Sequence, residues 1–159
     1  MGAAEFYEII DHFDNCMLLT FTANGTPHAR PMAIADRDGS VLWFISDRDS
    51  ATIDEVVADD SAVVTVQSPQ RWAAATGTAT VVYDRDRIDD LWSTPMKAWF
   101  PDGPADPKLV AVKADLHDGE YWDISGGRLV KFAAGFAKSV VTDTEIDADE
   151  EGDHGRESL

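Results

Sequence analysis

The chain has 159 residues, the length of a single domain at about 100–200 residues apiece. Its 13 Lys and Arg stand against 30 Asp and Glu, a formal charge of −17, so the surface as a whole repels phosphate backbones and anionic bilayers, and neither nucleic acid nor a membrane is expected as a partner. Hydrophobic content of 44% with five Trp, seven Phe and three Tyr is ample for a buried core and excludes an acidic disordered chain.

Phe6, Ile9, Ile10 and Phe13 fall at i, i+3, i+4 and i+7, the stripe of an amphipathic helix over residues 3–14. The period then changes to two. Residues 16–23 read as a strand, Asn24-Gly25 as a tight hairpin turn, and residues 28–36 as the return strand. Arg37-Asp38-Gly39 reads as a second turn, and residues 40–46 form a third strand with an unbroken apolar centre. Ile53, Val56 and Val57 mark a short helix over residues 50–58, with Thr52 and Glu55 at capping-box spacing. Residues 62–67 and 71–83 are two more strands, and residues 84–92 a helix with acids in its first turn. Pro101 to Pro107 is loop. Residues 109–116 and 120–124 are strands about a His117-Asp118-Gly119 turn. After Gly126-Gly127, apolar residues from Leu129 to Val141 read as a C-terminal helix, and residues 143–159 as an acidic tail beyond a single domain over residues 1–142. Many short strands with helices at the connections imply a mainly β, α+β fold, an antiparallel barrel rather than an alternating parallel sheet.

Strand two carries the most chemistry. Its period of two puts Arg30 on the face of Met32 and Ile34, the apolar side. An inward guanidinium requires an anion: either an Asp or Glu in a structural pair, or the phosphate of a ligand. The segment from Ser46 to Thr52 joins a buried strand to a helix start, where hydroxyls and free amides offer a phosphate cradle, although such serines are commonly no more than caps. His12, His28, His117 and His154 lack metal-ligand spacing and read as surface residues, so no metal is expected. The single cysteine, Cys16, reads as a small core residue and makes an internal disulfide impossible. No residue stands out as a general acid, base or nucleophile.

The acidic residues are 22 Asp and 8 Glu, the basic ones 5 Lys and 8 Arg. That skew toward short hydrated carboxylates is the pattern of a halophilic protein, whose self-repulsion is screened by salt. Residues 1–14 show no basic region or apolar run, and nowhere do about 18 apolar residues run together. The expected location is the cytoplasm.

Several blocks in order carry a resemblance: Leu19-Thr-Phe-Thr22, Gly25-Thr-Pro-His-Ala-Arg-Pro-Met32, Leu42-Trp-Phe-Ile-Ser46, Gly77-Thr-Ala-Thr-Val-Val82, Met96-Lys-Ala-Trp-Phe-Pro-Asp-Gly-Pro104 and Glu120-Tyr-Trp-Asp123. In order and spacing they are similar to the general stress protein family, within the flavin-binding split barrels of the pyridoxamine 5'-phosphate oxidase-like superfamily. The resemblance implies a homodimer of six-stranded split β-barrels with FMN at the interface. It implies that Arg30 meets the FMN phosphate and that Pro31 and Met32 lie along the flavin. Ile45, Ser46, Ser50 and Thr52 would supply phosphate and ring contacts, and Trp122 a flavin contact from across the dimer. Thr52 stands where the family commonly has a lysine, one positive partner fewer. Asp123 leads into Ile-Ser-Gly-Gly127 rather than a substrate-binding Arg-x-His-Asp-Arg motif, which disfavours oxidation of pyridoxamine phosphate itself. The function implied is a flavin-dependent oxidoreductase with an unknown small-molecule redox substrate. The alternatives are a protein that binds or buffers flavin without turnover, and a deazaflavin binder, for which basic residues are scarce.

Overall fold

The computed structural model describes residues 2–135 and 146–147. Helix α1 (Gly2–Asp11) leads into strands β1 (Asn15–Phe21), β2 (Pro27–Ala33), β3 (Asp36–Asp38) and β4 (Val41–Asp47), then α2 (Ala51–Ala58), β5 (Ser61–Gln67), β6 (Arg71–Val82) and α3 (Arg85–Leu91). A 3-10 turn over Thr94–Ala98 precedes β7 (Leu109–Asp123), β8 (Val130–Gly135) and β9 (Ile146–Asp147). All strand pairs are antiparallel, in the order β2-β1-β5-β6-β7-β4-β3, with β8 beside β7 and β9 beside β8.

Period-two alternation builds two cores from this one sheet. On one face Leu18, Leu42, Phe44, Val64, Val112 and Leu116 are at most 1% exposed, and α1 (Phe6, Ile10) and α2 (Ile53, Val56) pack with them. On the other face the alternate residues Ile45, Leu109 and Ala111 pack with Ile88 and Leu91 of α3 and with Met96. Ile45 and Phe44 are chain neighbours in different cores, so the unbroken apolar run of β4 is covered on both sides.

Four expectations are corrected. The fold is a split-barrel α+β type, but the described residues hold a nine-stranded sheet rather than six strands. His117-Asp118-Gly119 is no turn: residues 109–123 form one strand, paired along β6 with a register shift at Thr76/Gly77. That shift absorbs an extra residue where the apolar alternation changes phase, which is why the sequence looks like two strands. Residues 130–135, expected in a C-terminal helix, pair with β7 as β8; the run Val130 to Ala134 has β-compatible alternation, and Phe132 stacks on Tyr121 at 5.6 Å between centroids. Residues 136–141 of that expected helix lie outside the described residues, as does the expected acidic tail except for Ile146 and Asp147. Arg37-Asp38 belongs to the β3 hairpin and the reversal falls at Gly39, φ 58°.

Candidate functional site

β2 and β4 come side by side through the β3–β4 hairpin, yet β2 pairs only with β1 and β4 only with β3 and β7. This unladdered seam opens a groove on the outer face, lined by Pro31, Met32 and Ala33 of β2, Ile45 of β4, and Met96, Trp99 and Phe100. None of the seven is ionisable. Trp99 is 57% exposed, so much of its ring surface is available to a ligand. The wall it belongs to is held from behind: the Arg85 guanidinium donates to the carbonyls of Pro104 (2.6 Å), Asp106 (3.1 Å) and Leu109 (3.0 Å), fixing the loop after Phe100.

Beside the groove, on the face of β2 that alternates with Pro31, the acidic partner of Arg30 is Glu55 of α2. Thr52, Ile53, Glu55 and Val56 share the buried face of that helix, so Glu55 is carried inward, where a carboxylate needs donors. Arg30 Nη2 donates to Glu55 Oε2 at 2.9 Å, and Nη1 to Thr20 Oγ1 at 2.7 Å and more weakly to the Leu18 carbonyl at 3.5 Å. The Thr20 hydroxyl in turn donates to Glu55 Oε2 at 2.5 Å. His28 Nδ1 bonds the other carboxylate oxygen, Oε1. Hydrogen bonding by Thr20, then by His28 and Arg30, holds the Glu55 carboxyl below the usual carboxylate range despite its burial, so it is ionised and His28 Nδ1 is the donor. A guanidinium has five N–H donors. The end formed by Nη1 and Nη2 is spent on Thr20, Leu18 and Glu55, whereas Nε–H and the second Nη2–H make no bond to any described residue. Arg30 is thereby fixed by one edge with the other free to take an external anion.

Ser46 Oγ lies 3.1 Å from Ser50 Oγ. Ser50 is the N-cap of α2 but makes no side-chain cap bond, and Glu55 lends no capping box because its carboxylate is committed to the network. Ser50 and Glu55 are five residues apart, roughly 7.5 Å along the helix axis, so one short helix carries both the partner of Ser46 and the partner of Arg30. Thr52 is buried, 6% exposed. Trp122 does not join them within this chain. It lies eleven positions along β7 from Ala111, the register partner of Ile45, roughly 36 Å of strand, where it pairs with Trp72 and sits 5.6 Å beneath Lys131 Nζ. Cys16 is in the core, its thiol pushed up to about 12 by burial, and takes no part.

Glu55, Thr20 and His28 were not singled out as site residues by sequence. One signal was present: an acid on the apolar face of a short helix, two strands from an arginine on an apolar face.

A family model described as pyridoxamine 5'-phosphate oxidase like matches residues 2–147. The curated protein bli-3 of Neurospora crassa is 29% identical over 126 residues, 72% of this chain but 60% of that protein; the match thus spans less than two thirds of the relative's length. Among solved structures, a protein from Clostridium acetobutylicum described as related to general stress protein 26 aligns with TM-score 0.69 at 20% identity, over 82% of this chain and 92% of that one. A pyridoxamine 5'-phosphate oxidase-related, FMN binding protein from Nostoc punctiforme aligns with TM-score 0.65 at 18% identity, over 91% and 92%. At those identities the likeness is one of fold.

Proposed function

Because the chain belongs to the pyridoxamine 5'-phosphate oxidase-like family, we propose that it binds FMN in the seam groove and acts as a flavin-dependent oxidoreductase on a small-molecule substrate, in a stress-related role. One observation carries this reading: an uncharged groove walled by Pro31, Met32 and Ile45 on one side and by Trp99 and Phe100 on the other runs along the strand that carries Arg30, a guanidinium with an unused N–H edge. A flat apolar ring system bearing a phosphate has that outline. Pro31, Met32, Ile45 and Trp99 would hold the ring by burial and stacking, and Arg30, with Ser46 and Ser50 near it, would hold the phosphate. FMN, when bound, supplies the redox chemistry, and the chain orients it and limits its contact with water.

The assembly proposed is a homodimer. The outward residues of β1 and β2 include Met17, 38% exposed, and Pro27, Ala29 and Pro31, an apolar sheet face of the kind that a second copy covers. A two-fold partner would also bring a distant Trp122 to the groove. No described helix is long and apolar enough to cross a membrane, and the proposed location is the cytoplasm.

Titration with FMN, followed by the visible flavin band and by quenching of tryptophan emission, tests the reading; a wild-type protein that perturbs neither at any salt concentration overturns it. A second reading, flavin binding without turnover, draws on the absence of any ionisable side chain among the groove residues. Anaerobic addition of NAD(P)H separates the two: bleaching of the bound flavin with reoxidation by an added acceptor supports the oxidoreductase, and an unbleached spectrum supports the binder.

A further inference from the structure

We propose that His28 is the second cation of the phosphate site, protonated when a phosphate monoester binds and held in place by the same buried carboxylate that holds Arg30. This rests on the flavin reading of the groove and adds to it a residue and a proton.

His28 and Arg30 are alternate residues of β2 and so project from the same face, and they share Glu55 oxygen by oxygen, Oε1 to His28 and Oε2 to Arg30. The carboxylate side chain is 8% exposed, whereas those of Arg30 and His28 are 21% and 52% exposed. The unused donors of both cations thus belong to side chains more exposed than the carboxylate they share. For Arg30 these are Nε–H and the second Nη2–H; for His28 the group is Nε2, since Nδ1 is engaged. Charge explains why a second cation is needed. Arg30 and Glu55 together sum to zero, Thr20 is neutral, and the chain carries −17, so a phosphate dianion meets no net positive charge unless His28 gains a proton. Protonated, His28 makes the cluster +1 and offers Nε2–H as a charge-assisted donor beside the open arginine edge. Glu55 then stabilises the imidazolium through Nδ1 and fixes the ring's orientation, as an orienting carboxylate does for histidine elsewhere. The charged groups facing His28 are Glu55 from α2 and Arg30 from its own strand; its register partner on β1 is the uncharged Thr20.

The test compares FMN with riboflavin, which has the same ring system without the phosphate, at fixed ionic strength in buffer free of phosphate and sulfate. From about pH 7 to about pH 9 the FMN phosphate is already a dianion. Over that range wild-type affinity for FMN should fall roughly tenfold, because binding takes up a proton, while affinity for riboflavin stays level. In His28→Gln, FMN affinity should sit at the weak value throughout and riboflavin affinity should match wild type. An FMN-to-riboflavin ratio that does not change with pH in the wild type, or that is retained in H28Q, overturns the proposal while leaving the flavin site standing. Failure of the wild type to bind either flavin overturns both. The wild-type pH series needs no variant, so the test holds even if H28Q does not fold.

Discussion

At the scale of single residues, the site turns on one carboxylate. Glu55 is buried and ionised, satisfied by a hydroxyl, an imidazole and a guanidinium, and removing it would strand Arg30 beside the core without its anion. Glu55→Gln keeps the shape and gives up the charge. It should lower unfolding free energy by about 1.5–3 kcal/mol, the range for hydrogen bonds to charged groups, read as a shift of the urea midpoint at pH 7 with an unchanged slope; a shift no larger than that of an exposed control such as Asp54→Asn would refute the role. The pH dependence follows from the lowered carboxyl. Its folded-state value lies below that of the unfolded chain, so its stabilisation is complete above the unfolded carboxylate range and is lost as pH falls through the folded value. The difference in stability between wild type and E55Q should therefore shrink on acidification below about pH 4.5. The sequence showed Arg30 on an inward face and left its anion open between an acid and a phosphate. The structure answers for one edge of the guanidinium, Glu55, and leaves the other available. Neither half could be read from spacing, because residues 30 and 55 meet only when α2 packs against β1.

At the scale of elements, helices and turns with local signals were legible and long strands were not. Residues 51–58 and 85–91 are helical because each carries an apolar face within one short segment; α3 is also capped, the Asp84 side chain accepting from the Asp86 amide. The β6–β7 pair defeated the reading since its bulge shifts the alternation, and β8 because Leu129 to Val141 satisfies a helical stripe and a strand pattern alike. Gly77 at the bulge is the residue on which this pairing depends: a Cβ there would overlap the backbone carbonyl of Asp115 on β7. Backbone cannot move aside as a flexible side chain can. Gly77→Ala should cost about 1–3 kcal/mol through forced displacement of the ladder, measured by denaturant unfolding, with faster amide exchange across Thr76 to Ala79. Gly126→Ala, where a Cβ meets nothing within 4 Å, serves as the control and should be near neutral.

At the scale of the whole molecule, the charge of −17 opposes the compact state by self-repulsion, which added salt screens. Ion pairs such as Arg37–Asp11 (2.5 Å) and Arg71–Asp123 (3.0 Å) occupy part of the small basic complement, so repulsion among the excess carboxylates dominates the surface. Raising NaCl from about 0.1 M to about 2 M shortens the screening length from about 10 Å to under 3 Å. The melting temperature should rise by several degrees over that range, the behaviour proposed for a halophilic protein, and a flat or falling melting temperature would argue for an ordinary acidic one. The sequence by itself determined the features that are local or summed: the charge, the α+β character with antiparallel strands, the segments that become helices, and the placement of Arg30 on an inward face. Tertiary structure alone decided what those features meet. The seam between β2 and β4, the loop clamp by Arg85, and the joining of Thr20, His28 and Arg30 on Glu55 each depend on contacts between residues 10 or more positions apart. Such contacts are fixed by sheet order and helix packing, which no short window of sequence encodes.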